Sequence, residues 1–418
     1  MTPTTTRVVT EPSPGRAGVS WRQGGSAWSG LGGVGAGLPW RDRELGSLPV
    51  MIALVVLSLV FQAFNQNFLS SDNLVNLTLQ SATTGVITLG IVLVLLVGQI
   101  DLSVGAVSGL AAAIVAVGFV QEGWPLWVAV LVAVALGAAV GAGYGWLFTR
   151  LGVPSFVITL AGLLVCVGIQ VRVLGSTGSV NLPYESWLVR FSQQTFLHPL
   201  VAYVLVLAVV ALYAGSRLAE RYRRQAADLP AATLSALVGR AVLLGALLGT
   251  ATWYLNQNRG IGAMFALFIA LVVATDLMLR RSRWGRSVRA VGSNLESARR
   301  AGFAVRRVYM SVFMACTALA ALGGVLSAGR LAAANQGTGG SDTNLTAIAA
   351  AVIGGTSLFG GRGSAWSAVL GVFVIHAISS GLTLLNQDAS IRYIVTGIVL
   401  ALAVTIDALS RRRAPVGR

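Results

Sequence analysis

From Leu48 onward the sequence is a succession of apolar runs, each close to the length that a bilayer demands, separated by short polar or glycine-rich joints. A helix that crosses the hydrocarbon core takes about 20 mostly apolar residues. Candidate spans lie near 48–64, 74–97, 104–120, 125–149, 154–174, 197–215, 236–255, 261–279, 308–329, 344–359, 365–385 and 391–409. The 48–64 and 344–359 runs are short, so about 10–12 transmembrane helices are expected. The fold class this predicts is an all-α polytopic membrane protein.

Composition excludes the alternatives. Of the 418 residues 55% are hydrophobic and only 11% charged, too few charges to cover a soluble globule of this size. The same figures exclude a disordered chain, a collagen-like chain and a disulfide scaffold. The two cysteines, Cys166 and Cys316, lie inside apolar runs and read as small core residues; two histidines are too few for a histidine metal cluster.

The net charge is +16, and every basic residue is an arginine. Nucleic-acid binding would account for such a chain, but so would arginine collecting in cytoplasmic loops. Position decides. With the N-terminus inside, 25 arginines fall on the inner side and four (Arg190, Arg259, Arg330 and Arg392) on the outer. That split predicts both termini in the cytoplasm and an even number of crossings, and it needs no nucleic acid. Residues 1–46, rich in Gly, Ser, Pro, Thr and Arg, read as a disordered cytoplasmic tail rather than a signal peptide. Residues 47–410 read as the transmembrane domain and 411–418 as a basic cytoplasmic tail. The longest outer loop, from Gly175 to about Phe196, carries Tyr184, Trp187 and Phe191; they suit an interfacial belt or a surface for a partner outside the membrane.

Four segments interrupt the apolar pattern. Gly98-Gln99-Ile100-Asp101-Leu102-Ser103-Val104-Gly105 puts an acid between two strongly apolar helices. An acid in hydrocarbon is costly, so Asp101 is expected at a helix break, capping the next helix. Gly98 and Gly105 allow the broken backbone and close helix approach, and discontinuous helices often mark a transport path; a cap at a membrane boundary is the plainer alternative. Leu151-Gly152-Val153-Pro154-Ser155-Phe156 reads as an architectural joint, with Pro154 in the first turn of a helix. The segment 353–363, including Gly354, Gly355 and Thr356, lacks the ending of a phosphate loop and reads as a hairpin between tightly packed helices.

The fourth is the arginine-rich inner loop 280–307. Ser293 and Glu296 have capping-box spacing, Arg299 and Arg300 suit a last helical turn, and Gly302 suits the stop. Leu295 and Ala298 share a face. A short capped helix over Ser293, Asn294, Leu295, Glu296, Ala298, Arg299, Ala301 and Gly302 is too short to stand alone. It rests either on anionic membrane lipid or against a cytoplasmic subunit.

The stretches GQIDLSVGA, GVPSFVITLAGLL, GRSVRAVGSNLESARRAGF and IGGTSLFGGRGS resemble the signature stretches of bacterial ABC sugar-importer permeases of the ribose/xylose type, over roughly residues 48–409. Extra apolar material at 230–256 is similar to the longer, xylose-type members. The resemblance implies an ABC importer permease fold in the bacterial plasma membrane and a transport subunit rather than an enzyme. It implies a second permease copy, a cytoplasmic ABC ATPase that alone binds ATP and Mg, and an extracytoplasmic binding protein that delivers a monosaccharide such as xylose. It also implies that 293–303 is the coupling helix and that 98–105 lines or braces the path. Gln99 departs from the pattern, where the family commonly has a second glycine. A permease for another small solute, such as an amino acid or an autoinducer, and a secondary carrier are the alternatives. A proton-coupled carrier usually has ionisable groups in mid-membrane, whereas Asp276, Asp407 and Arg172 fall near span ends here. A neutral sugar needs amide and hydroxyl partners, for which Gln80, Gln99, Gln170 and Asn344 are available.

Overall fold

The computed structural model describes residues 48–231 and 233–412. The expected 1–46 tail and most of the terminal basic tail lie outside them. Each of the twelve apolar runs forms a helix. The order is α1 Leu48–Phe64, α2 Ser71–Leu96, α3 Val104–Val120, α4 Leu126–Trp146 (prolonged by a π-helical turn, Leu147–Leu151) and α5 Ser155–Leu174. Strand β1, Ser179–Asn181, and the one-turn α6, Trp187–Val189, follow, then α7 Pro199–Gln225, α8 Leu234–Leu255 and α9 Ala263–Arg281. Two polar helices come next, α10 Arg283–Ser293 and α11 Leu295–Arg300. The chain ends with α12 Val305–Leu331, β2 Ala333–Asn335, α13 Ser341–Ile353, α14 Trp366–Leu384 and α15 Ala389–Arg412.

Local signals set the helix starts. Ser70 Oγ accepts the amide of Asn73 at 3.3 Å to open α2. Thr233 Oγ1 does the same for Ala236 at the start of α8, at 3.4 Å. At α7, His198 Nδ1 accepts the amide of Leu200 and Pro199 takes the first helical position, where its missing N–H costs nothing.

Among the described residues, eight helices are long and apolar enough to cross a membrane; α1, α3, α13 and the apolar part of α15 are shorter. The run expected to span 344–359 is the clearest correction. Helix α13 ends at Ile353, because the glycine-dense stretch that follows leaves helical geometry, and its 13 residues measure about 20 Å against a hydrocarbon core of about 30 Å. The joint at 152–154 is also displaced by one residue. Gly152 turns in the left-handed region (φ 68°) and Pro154 sits just before the first helical residue, Ser155, rather than inside the first turn.

Helix α12 runs through the centre, against α2, α3 and α4. Buried Val312, Phe313, Cys316, Ala320 and Ala321 of α12 belong to one core with Val86, Leu89 and Leu93 of α2 and Val107 and Ala111 of α3. By contrast, α7 and α8 pack mainly on each other, and Leu207, Leu212, Val242 and Leu247 stand exposed, as lipid-facing side chains would. Arginines gather at both ends: Arg223, Arg224 and Arg281 share a cleft at one end, and Arg259, Arg330 and Arg392 line a cavity at the other.

Candidate functional site

After α2, Gly98 adopts φ 71°, a conformation strained for other residues, and lies against the Phe359 carbonyl. The chain then turns back into the bundle. Asp101 is fully buried. One of its oxygens accepts the amide of Ser103 at 2.8 Å and the Ser103 hydroxyl at 2.7 Å; the other lies 3.8 Å from Cys316 Sγ. Thr159 Oγ1, on α5, accepts the amide of Leu102 at 3.2 Å. Asp101 therefore holds the turn before α3, not the helix itself. The helix-capping group is Asn344 of α13. Its Oδ1 accepts the amide of Gly105 at 2.6 Å, and its Nδ2 donates to the Leu102 carbonyl.

A second break faces the first. Beyond α12 the chain descends through β2, paired antiparallel with β1 (Ser179 opposite Asn335), and reaches α13 through Gly337-Thr338-Gly339-Gly340. The exposed carbonyls of such a segment need partners away from water. Gln170 Nε2, on α5, donates to Asn335 O at 3.0 Å and Thr338 O at 2.9 Å. Helix α3 comes so near that a Cβ at Gly109 would overlap the Thr338 carbonyl and the Gln170 amide.

Depth along α12 locates this junction. Cys316, beside Asp101, is about 17 Å along a helix of 27 residues. Both α3 and α13 thus begin near mid-bundle, with their positive ends together. Irregular backbone at such depth is tolerated where protein surrounds it, and Asp101, Ser103, Ala334 and Thr338 are all buried. Discontinuous helices of this kind line the substrate sites of many transporters. The 332–340 break escaped the sequence reading. Its signal was three glycines in four residues between two apolar runs.

At the arginine-rich end, α10 is fastened to the bundle. Ser282 Oγ accepts the Gly285 amide at 2.9 Å, and Trp284 Nε1 donates to Ser311 Oγ at 2.8 Å. Leu96 O, left free as α2 ends, accepts the amide of Gly361 at 3.0 Å, and a Cβ at Gly292 would overlap that same carbonyl. Contact thus runs from α10 through Gly292 to the end of α2, Gly98 and the 359–361 loop.

Helix α11 is capped differently from the sequence expectation. Ser293 ends α10 and donates to Ala290 O at 3.0 Å; the N-cap is Asn294, whose Oδ1 accepts the Ser297 amide at 2.9 Å. Asparagine wins because the kink at 294 (φ −157°, ψ 108°) points its side chain, not that of Ser293, at the orphan amides. Glu296 pairs with Arg300 at 3.2 Å instead of reaching back to the cap. Ala298 is buried and Leu295 half-buried, while Asn294, Glu296, Arg299 and Ala301 face outward, and Gly302 (φ 80°) follows the last turn.

The remaining candidates are structural neighbours. The Gly354 and Gly355 amides donate to Ala350 O and Val352 O, both at 2.9 Å, at the end of α13; the Thr356 amide donates to Ala351 O at 3.0 Å. Gly354 also abuts the backbone of Ser367, so 353–363 is the tight α13–α14 joint. Buried Ser155 accepts from Thr159 Oγ1 at 3.0 Å, which places Pro154–Ser155 one step behind the Asp101 turn. Gln99 is half-buried beside Gly98. The structure therefore unites Asp101, Ser103 and Gly105 with Asn344 and Gln170; Gly354–Thr356 lie about 15 Å from Asn344 along α13, toward the end where Gly98 meets the 359–361 loop.

Residues 73–404 match the family model described as branched-chain amino acid transport system / permease component. The chain is 35% identical to a xylose transport system permease protein of Escherichia coli over 366 residues, which cover 87% of this chain and 92% of that one. It is 32% identical to the corresponding xylose protein of Haemophilus influenzae over 372 residues (88% and 98%). It is 29% identical to a ribose import permease protein of E. coli over 359 residues (85% and 92%). No solved structure matches the chain.

Proposed function

The chain belongs to the branched-chain amino acid transport system / permease component family, and from that premise we propose that it carries a monosaccharide, a pentose such as xylose or a close relative, into the cell. It is a multi-pass permease subunit of the bacterial inner membrane and not an enzyme. The sugar class rests on the relatives, named for xylose, ribose and fructose transport. The family description favours one other reading, an amino acid.

Two copies of the chain would pair with two ATPase subunits, which alone bind ATP and Mg, and an extracytoplasmic binding protein would deliver the sugar. The arginine-rich end is assigned to the cytoplasm by the positive-inside rule. The observation that carries the reading is α11. It is a short capped helix, exposed on one side and tied on the other, through α10 and Gly292, to the end of α2 and the Gly98 break. Movement of an ATPase under α11 would reach the broken helices along rigid contacts.

The test is direct. Co-expression with its partner ATPase and binding protein should give a complex that takes up radiolabelled D-xylose, D-ribose or D-fructose. Leu295→Arg, which forces a charge into the half-buried face of α11, should cost the complex at least about tenfold in yield. Unchanged complex and uptake would rule out coupling through α11, and uptake of leucine but of no sugar would rule out the sugar class.

A further inference from the structure

At the end opposite the coupling helix, a cavity of about 510 Å³ opens between α2, α12, α14 and the segment that follows α6. That volume lies in the usual range of small-molecule sites, about 300–1,000 Å³. Three of the four arginines assigned to the outer side, Arg259, Arg330 and Arg392, line it together with Asn76, Gln80, Gln193 and Thr383.

Two of the three cations are already engaged. Arg259 pairs with Asp72 at 3.1 Å and donates to Asn76 Oδ1 at 2.6 Å; Arg392 donates to Thr383 Oγ1 at 3.2 Å. Other groups have no partner. Arg330 Nε is fully buried and makes no hydrogen bond, and neither does the Oγ of Ser192, a lining residue only 1% exposed. Buried polar groups are seldom left so. The Gln80 amide, half-buried about 14 Å along α2 from Ser71, also has no hydrogen-bond partner among the described residues.

We propose that this cavity is an entry subsite for a neutral polyhydroxylated ligand on its way to the broken helices. The inference rests on the sugar reading above and deepens it. Amides and hydroxyls both donate and accept, as a ring of hydroxyls requires, and guanidinium adds fixed donors. Among the described residues that line the cavity none is acidic. The carboxylate bonded to a lining residue, Asp72, is already paired with Arg259 and so offers an amino acid's ammonium little, whereas a sugar needs no counter-charge. Gln80 and Arg330 would hold the sugar at depth, and Thr383 and Arg392 would meet it at the mouth.

The test uses the full complex with its ATPase and binding protein in proteoliposomes, and reads sugar taken up per ATP hydrolysed, with D-xylose, D-ribose and D-fructose as probes. Gln80→Leu removes a donor and an acceptor without breaking an internal bond, and should lower that ratio about tenfold. Gln80→Asn should recover part of it. Thr383→Val, at an exposed position, serves if Gln80→Leu fails to assemble, and should raise the KM for delivered sugar about threefold. An unchanged ratio in Gln80→Leu and an unchanged KM in Thr383→Val, with wild-type sugar uptake intact, would overturn the subsite alone. Weakened affinity for the binding protein, with the ratio preserved, would make the cavity a docking face for an acidic protein surface and likewise overturn it. Failure of the wild-type complex to take up any of the three sugars would overturn the sugar reading itself.

Discussion

Helices α2 and α7 are nearly equal in length, 26 and 27 residues, and their apolar stretches are almost equally hydrophobic. Yet the protein buries 89% of the first and 6% of the second. Hydropathy measures the transfer from water, which both helices share; it does not say whether lipid or protein receives them. What separates them is side-chain size and polarity. Helix α2 carries Ser81, Ala82, Thr83, Gly85, Thr88 and Gly90, small enough for α12 and α9 to lie against its backbone. The apolar part of α7 is mostly Leu, Val and Ala, with Tyr203 and Tyr213 among them, around an exposed surface, and Ala202 is its one buried residue. In lipid, helices associate by close packing of small residues rather than by hydrophobicity.

That contrast is open to measurement. Gly90→Leu should be the most damaging change, about 3 kcal/mol or more, because the added side chain would press on the Cys316 backbone of α12. Recovery of monodisperse protein in mild detergent at the wild-type yield would show that α2 is not held by that approach. Asn344→Ala should come next. It strips the cap from Gly105 and the donor from Leu102 O, leaving buried groups unpaired at about 1–3 kcal/mol. A drop of several degrees in apparent melting temperature, together with loss of uptake, is expected; loss of uptake at an unchanged melting temperature would instead give Asn344 a direct part in the path. Asn294→Ala should cost about 1 kcal/mol locally, read as faster amide exchange at Ser297, whereas Ser293→Ala should leave that amide alone. Reversal of the two would restore the capping box that spacing suggested. Leu207→Ala, on the outer face of α7, should change the melting temperature least, by the equivalent of less than about 0.5 kcal/mol. A larger loss would mean that α7 has a protein partner in the assembled complex.

Much of this architecture was legible in the residues. The twelve apolar runs became twelve helices, since length and apolar content are local properties. The Gly98–Gly105 break was visible because an acid and two glycines interrupt two long apolar runs. The facing break at 332–340 was not, since Gly337-Thr338-Gly339-Gly340 holds no charge and reads as an ordinary loop. The partners of both breaks, Asn344 and Gln170, stood among four polar candidates with nothing local to choose between them; only the approach of α13 and α5 to α3 decides. At α11 the spacing S-x-x-E promised the wrong cap. A capping box depends on the backbone at the first residue, and the kink falls at Asn294.

The junction of the two broken helices also constrains how the protein is made. Asn344 follows Gly105 by 239 residues. A ribosome adding about 5–20 residues per second needs roughly 12–50 s to cover that distance. Throughout that interval the nascent chain already holds α2 and α3, while the amide of Gly105 and the carbonyl of Leu102 wait for a side chain not yet synthesised. The first half is therefore expected to stay loosely closed at the break and to lock only when α13 arrives. Truncations ending before residue 344 should on this account be captured by insertion factors and degraded, and supplying the missing half as a separate chain should rescue them.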